Sequence, residues 1–198
     1  MIVIGLTGGV ATGKTTTADL FRERGIPVHD ADATVHGLMA AGGQAVDQIC
    51  TLFGSQVLTP DNSIDRQKLG KMVFQNPEER RQLEKILHPL VAKDRNTFIA
   101  QADATGASMV VLDVPLLFET GGHNLCDKVI VTSAPPDVQS KRAMLRPGMT
   151  ADKLNGILNS QMPLAEKIRQ ADLVLHTENG IDHVRQTLFA WLDQMEQG

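Results

Sequence analysis

At 198 residues, with 42% hydrophobic and 21% charged side chains, the chain is long enough for one domain with a sizeable core and too apolar to be disordered. Its formal net charge of -4 and the lack of any long Lys/Arg run argue against nucleic acid as a main partner. Two cysteines far apart in sequence, Cys50 and Cys126, make neither a disulfide framework nor a zinc site, and no apolar run approaches the ~18 residues of a membrane span, so a cytoplasmic location is expected.

The first element is a short buried strand, Ile2-Val3-Ile4 with Leu6, running straight into Gly8-Gly9-Val10-Ala11-Thr12-Gly13-Lys14-Thr15. That octet satisfies G-x-x-x-x-G-K-[ST], in which glycines let backbone N–H groups curl around an anion. A helix from Thr15 to Arg24, stopped by Gly25, follows, so the loop feeds a helix N-terminus, where unpaired N–H groups and the macrodipole favour phosphate. Lys14 is placed to reach the β- and γ-phosphates and the Thr15 hydroxyl to ligate Mg²⁺. Nucleotide binding is therefore expected.

The second strand, Ile26-Pro27-Val28, ends in His29-Asp30-Ala31-Asp32, at the carboxyl edge where open α/β sheets bind ligands. In an extended segment residues two apart face the same way, which aims Asp30 and Asp32 at one site. There a carboxylate can accept the proton of an attacking hydroxyl or hold a magnesium-bound water. Asp32 also suits the N-cap of a helix starting near Ala33. The long stretch from Thr34 to Gly106 is too long for a plain crossover and carries the breakers Gly42-Gly43, Pro60, Pro77 and Pro89; it is expected to be an inserted helical lobe.

Met109 to Val114 forms the third strand, with Asp113 at its end in the manner of a carboxylate that orients Mg²⁺ through water. Lys128 to Thr132 and Leu173-Val174-Leu175 supply the fourth and fifth. Continuous apolar runs separated by helical stretches predict a five-stranded parallel sheet between helical layers. A second insertion, about 141–171, contains Arg142, Arg146, Lys153, Lys167 and Arg169. Arg142 and Arg146 would share one face if both lay on a helix, and could then grip phosphoryl oxygens. The six histidines make no H-E-x-x-H or other metal spacing.

Taken together and in order, these pieces resemble the dephospho-coenzyme A kinase family, of the nucleotide-kinase-like branch of P-loop proteins, over nearly the whole chain. The resemblance is carried by Leu6-Thr7-Gly8-Gly9 with Gly13-Lys14-Thr15, Asp30-Ala31-Asp32, Asn76-Pro77-Glu78-Glu79, Leu87-His88-Pro89-Leu90, Val114 to Glu119, Lys141-Arg142 through Arg146, Gln161, and Ala171-Asp172 before Asn179-Gly180. It implies a three-layer α/β P-loop NTPase fold with an acceptor-binding lobe (about 34–106) and a lid (about 141–171). It also implies transfer of the γ-phosphoryl of ATP, with Mg²⁺, to the ribose 3′-hydroxyl of dephospho-coenzyme A.

By the same resemblance, Asp32 matches the general base, Lys14 and Arg142 the other catalytic positions, and Thr15 and Asp113 the metal positions. Gly9, Val10, Ala11, Thr12, Gly13, Lys14, Thr15, Thr16 and Arg146 match nucleotide contacts. Asp32, His88, Pro89 and Leu116 match acceptor contacts, although His88 and Pro89 read equally as a helix break capped by His. The loop carries Ala11-Thr12 where the family often has Gly-Ser, which is tolerated provided Ala11 avoids positive φ. His176-Thr177-Glu178 stands where an Asn-rich turn is usual and leaves the adenine contacts open. A nucleotide or shikimate-type kinase is the nearest rival on the same fold, and a GTPase switch would want an [NT]-K-x-D segment that the sequence lacks.

Overall fold

The computed structural model describes residues 1–196. Five strands form one sheet in the order β2-β3-β1-β4-β5: β1 (Ile2–Gly8), β2 (Val28–Asp30), β3 (Met109–Asp113), β4 (Lys128–Ser133) and β5 (Leu173–His176). β1 is central and parallel to β3 and β4, with Ile4 opposite Val111 and Leu6 opposite Ile130, and β4 is parallel to β5. Every residue of β3 is buried, as expected of a strand covered on both faces.

Alternation along the strands divides the core in two. Ile4, Leu6, Val111, Ile130 and Leu175 pack with Ala18 and Phe21 of α1 (Lys14–Glu23) and Leu188 and Leu192 of α9 (Ile181–Glu196). Val129 and Val131, one residue out of phase, pack instead with Leu117 and Phe118 and with Leu164 and Ile168 of α8 (Leu164–Arg169). Period-two geometry thus places helices on both faces of the sheet and makes three layers.

The described chain divides into two compact units, residues 1–29 with 102–196, and residues 30–101. The second unit holds α2 (Ala31–Met39), α3 (Val46–Phe53), α4 (Arg66–Gln75) and most of α5 (Pro77–Ala104). Its core is Leu38, Ala45, Ile49, Phe53, Val57, Ile64 and Leu69. Leu83, Ile86, Leu87, Leu90 and Val91 of α5 pack on it, a stripe at helical spacing. Asn76 starts α5 by accepting from the N–H groups of Glu78 (3.0 Å) and Glu79 (3.4 Å), and Pro77 occupies the first turn, where a missing N–H costs nothing. The remaining helices, α6 (Pro136–Met144) and α7 (Ala151–Ser160), lie between β4 and α8. Among the described residues no helix is long and apolar enough to cross a membrane.

Three expectations need correction. The second strand is Val28–Asp30 rather than Ile26-Pro27-Val28; Pro27 contributes only its carbonyl, to the Val111 N–H, because it has no donor of its own. The chain turns helical at Ala31, and Asp30, not Asp32, is the α2 N-cap, accepting from Ala33 N–H at 2.9 Å. Pro89 breaks nothing: α5 runs through it as one 28-residue helix, held by the apolar stripe on either side.

An exposed proline inside a helix forgoes one hydrogen bond and crowds the preceding turn, at a cost of up to about 3 kcal/mol. Pro89→Ala should therefore raise the melting temperature, by about 2–4 °C per kcal/mol recovered. A lower melting temperature in thermal unfolding would show that the ring's own packing outweighs the lost bond.

Candidate active site

The turn between β1 and α1 is built on close backbone approach. A side chain at Gly8 would place its Cβ 2.1 Å from Thr132 Oγ1 and 2.5 Å from Thr12 Oγ1, so only glycine fits. Thr12 folds the turn on itself, its hydroxyl donating to the Gly9 carbonyl at 2.8 Å and pairing with the Thr132 hydroxyl at 2.8 Å. Gly13, at φ +86°, is the N-cap of α1 and supplies no side-chain cap. The first intrahelical bond is Thr17 N–H to Gly13 carbonyl, which leaves the N–H groups of Lys14, Thr15 and Thr16 without helical acceptors. No acidic residue sits in that first turn, so the positive end of the helix is available to an anion.

Ala11 does not avoid positive φ, as the loop substitution was expected to require; it sits at φ +56°. Its methyl is buried with Val10 against Ala143 of α6 and Leu154 of α7. A Cβ in that left-handed conformation costs roughly 1–2 kcal/mol, and alanine adds no branching at Cβ to it.

Lys14 reaches across to the end of β3 and makes an ion pair with Asp113, whose side chain is 3% exposed against 18% for the lysine. The sheet order explains the meeting, since β1 and β3 are neighbours and Leu6 is in register with Asp113. Thr15 is exposed in the first turn of α1. Among the described residues no three His, Cys, Asp or Glu side chains form a metal cage.

Arg142 lies on α6 and is anchored: its guanidinium donates to Thr177 Oγ1 at 2.8 Å and to the Thr177 carbonyl at 3.0 Å. The Thr177 hydroxyl in turn donates to the Thr12 carbonyl at 2.9 Å, linking the turn after β5 to the phosphate loop. Arg146 does not share a helix face with Arg142, because α6 ends at Met144 and Arg146 lies exposed beyond it. Leu116 is 39% exposed in the turn that follows β3.

In the second unit, Asp32 is exposed in the first turn of α2, and His88 and Pro89 are exposed on α5. Thr34 of α2 donates to Asp94 of α5 at 3.0 Å. The argument that Asp30 and Asp32 face alike along a strand fails, since the two straddle a strand-to-helix junction.

Sequence reasoning missed Thr177, and it counted Lys167 only among the basic residues of the second insertion. Lys167 is fully buried and pairs with Glu119 at 2.9 Å. Burial alone would raise the Glu119 carboxyl, but hydrogen bonds from Lys167 and from the Met162 N–H hold it below its usual value. That pair accordingly contributes stability above the ordinary carboxylate range and loses it as the pH falls through the lowered value. A lysine under a sheet edge leaves no signal in the sequence, because its burial depends on which segments fold over it.

A family profile described as dephospho-CoA kinase matches residues 2–183. A dephospho-CoA kinase of Mesorhizobium japonicum is 45% identical over 195 residues, covering 98% of this chain and 97% of that protein. A solved dephospho-CoA kinase from Campylobacter jejuni superposes with a TM-score of 0.73 at 27% identity, over 99% of this chain and 98% of its own. A Thermus thermophilus crystal structure reaches a TM-score of 0.83 at 31% identity, over 98% and 97%.

The strain at Ala11 is testable. Ala11→Gly relieves ~1–2 kcal/mol of backbone cost, but forfeits about 0.8 kcal/mol for a buried methyl and roughly 0.4–1 kcal/mol of unfolded-state entropy. Its melting temperature should therefore stay within a few degrees of the wild type, whereas Ala11→Val, branched at the same φ, should melt well below. A valine variant as stable as the wild type would mean that the loop relaxes out of this conformation.

Proposed function

The chain belongs to the dephospho-CoA kinase family, and we propose that it transfers the γ-phosphoryl of ATP to the ribose 3′-hydroxyl of dephospho-coenzyme A. As a member it is an ATP-dependent phosphotransferase of coenzyme A biosynthesis. The observation that carries the catalytic assignment is the strand, glycine turn and uncapped helix N-terminus, with Lys14 held at the end of β3.

In this reading the N–H groups at the start of α1 and the Lys14 ammonium take the β- and γ-phosphates, and stay on them as charge shifts toward the leaving oxygen. Phosphate oxygens then compete with Asp113 for Lys14. Asp113 and the Thr15 hydroxyl suit Mg²⁺, which takes one or two protein ligands and fills its shell with water and phosphate oxygens. When bound, the ion would neutralise phosphate charge. Arg142, fixed by Thr177 beside the loop, offers a guanidinium preorganised for the nucleotide. Asp32, free of the capping duty that Asp30 performs, serves as the base for the ribose hydroxyl, with His88, Pro89 and Leu116 as acceptor contacts. The segment about 141–171 is the lid of this reading, with Leu154 of α7 packed on Val10 and Ala11 of the loop and α8 packed under the sheet with Leu117 and Phe118.

The overall reading is tested by ADP release from ATP with dephospho-coenzyme A, shikimate and nucleoside monophosphates as acceptors. Only dephospho-coenzyme A should stimulate release, and a preference for another acceptor would overturn the substrate assignment.

The residue roles are tested by two variants. Lys14→Met should bind ATP weakly and lose turnover by orders of magnitude with the fold intact. Asp32→Asn should lose ~10²–10⁴-fold in turnover, nearer the lower figure if the transition state is loose, with melting temperature and ATP affinity unchanged. An unchanged rate for Asp32→Asn would remove it as the base.

A further inference from the structure

We propose that Lys167 is a positioning residue for phosphoryl transfer, holding the entrance of the phosphate loop and the end of β3 in register through their backbone carbonyls. The proposal rests on Gly8 to Thr15 being the ATP phosphate site. Lys167 sits on α8 and is 0% exposed. A buried ammonium costs several kcal/mol unless its hydrogens are placed, and an ammonium has three to place. Three acceptors surround it: Glu119 Oε1 at 2.9 Å, the Pro115 carbonyl at 3.1 Å and the Gly8 carbonyl at 3.5 Å.

These acceptors come from the segments that build the site. Gly8 ends β1 and opens the phosphate loop. A trans peptide points its C=O and N–H in opposite directions, so an ammonium on the Gly8 carbonyl also sets which way the Gly9 N–H faces. Pro115 lies two residues beyond Asp113, and its carbonyl accepts from the Thr7 hydroxyl as well, at 3.0 Å. Lys167 and Thr7 thus fix the strand end that presents Asp113 to Lys14. Glu119 accepts from the Met162 N–H at 2.8 Å, which ties the start of the return from α7 to the same cation.

A side chain needed only to fill space here would be replaced at little cost by an apolar one, because swapping a whole buried ion pair for uncharged groups is often neutral for stability. What such a swap removes is the hold on two carbonyls. A small displacement of the loop acts on the donor phosphates, so the loss belongs in turnover and in the KM for ATP rather than in the KM for the acceptor.

The test compares the wild type with Glu119→Gln and with the double variant Lys167→Met plus Glu119→Gln, which leaves no lone buried charge. Melting temperature, kcat, and KM for ATP and for dephospho-coenzyme A are measured on each. Glu119→Gln strands the buried ammonium and should melt well below the wild type, but it keeps that ammonium on both carbonyls, so below its melting range it should remain within a fewfold of the wild type in kcat/KM for ATP. The double variant should melt within a few degrees of the wild type yet lose about 10–10²-fold in kcat/KM for ATP, with the acceptor KM little changed.

A double variant with wild-type kinetics overturns the proposal, and so does one that fails to fold, since the lysine is then a folding requirement. Equal losses in Glu119→Gln and the double variant also overturn it, because the ion pair and not the carbonyl contact would then matter. If the wild type itself releases no ADP with dephospho-coenzyme A, it is the substrate assignment that fails.

Discussion

A phosphate-binding turn must hold its backbone still while leaving the N–H groups of the following helix free of protein acceptors. That constraint organises the structure between Gly8 and Lys14. The donors cannot be tied down without being spent, so the turn is fixed from behind. Thr12 and Thr132 lock hydroxyl to hydroxyl over a position that admits no side chain. Thr177 holds the Thr12 carbonyl, Lys167 holds the Gly8 carbonyl, and the methyl of Ala11 is packed under α6 and α7. Each contact uses a carbonyl, a hydroxyl or an apolar group and spares the donors of the first turn of α1.

Two lysine–carboxylate pairs flank the junction of β1 and β3, and their environments suit them to opposite tasks. Lys14 and Asp113 meet where the lysine keeps partial access to solvent, as the proposed exchange of the lysine toward phosphate requires. Lys167 and Glu119 meet where the lysine has none. Breaking that pair would strand a buried charge, which costs several kcal/mol. On the proposed reading the first pair is the working contact and the second a fixed brace, a difference set by burial rather than by residue type.

The second unit stands on its own physical footing. Its core is complete in itself, formed by three short helices against the apolar stripe of α5. Capping residues define the helix starts: Asp30 for α2, Asp65 for α4 and Asn76 for α5. The stripe carries α5 through Pro89, because burial of Leu83, Leu87, Leu90 and Val91 outweighs one missing hydrogen bond.

The sequence by itself determined what depends on short spacings. The phosphate loop was legible because eight consecutive residues state it, and the sheet because strands buried on both faces read as continuous apolar runs. The ordered motifs carried the family likewise. Tertiary structure alone decided the rest. The start of α2 shifted the capping role from Asp32 to Asp30, since strand and helix compete for the same few residues and only the sheet's hydrogen bonds settle where one ends. The positive φ of Ala11 goes with a methyl buried among Val10, Ala143 and Leu154, a packing that no alanine announces. Arg142 found Thr177, and Lys167 found Glu119, Pro115 and Gly8, because parallel strands bring their carboxyl ends together whatever their separation along the chain. Burial of a charge is a property of that closure, and a linear sequence shows the charge without showing what closes over it.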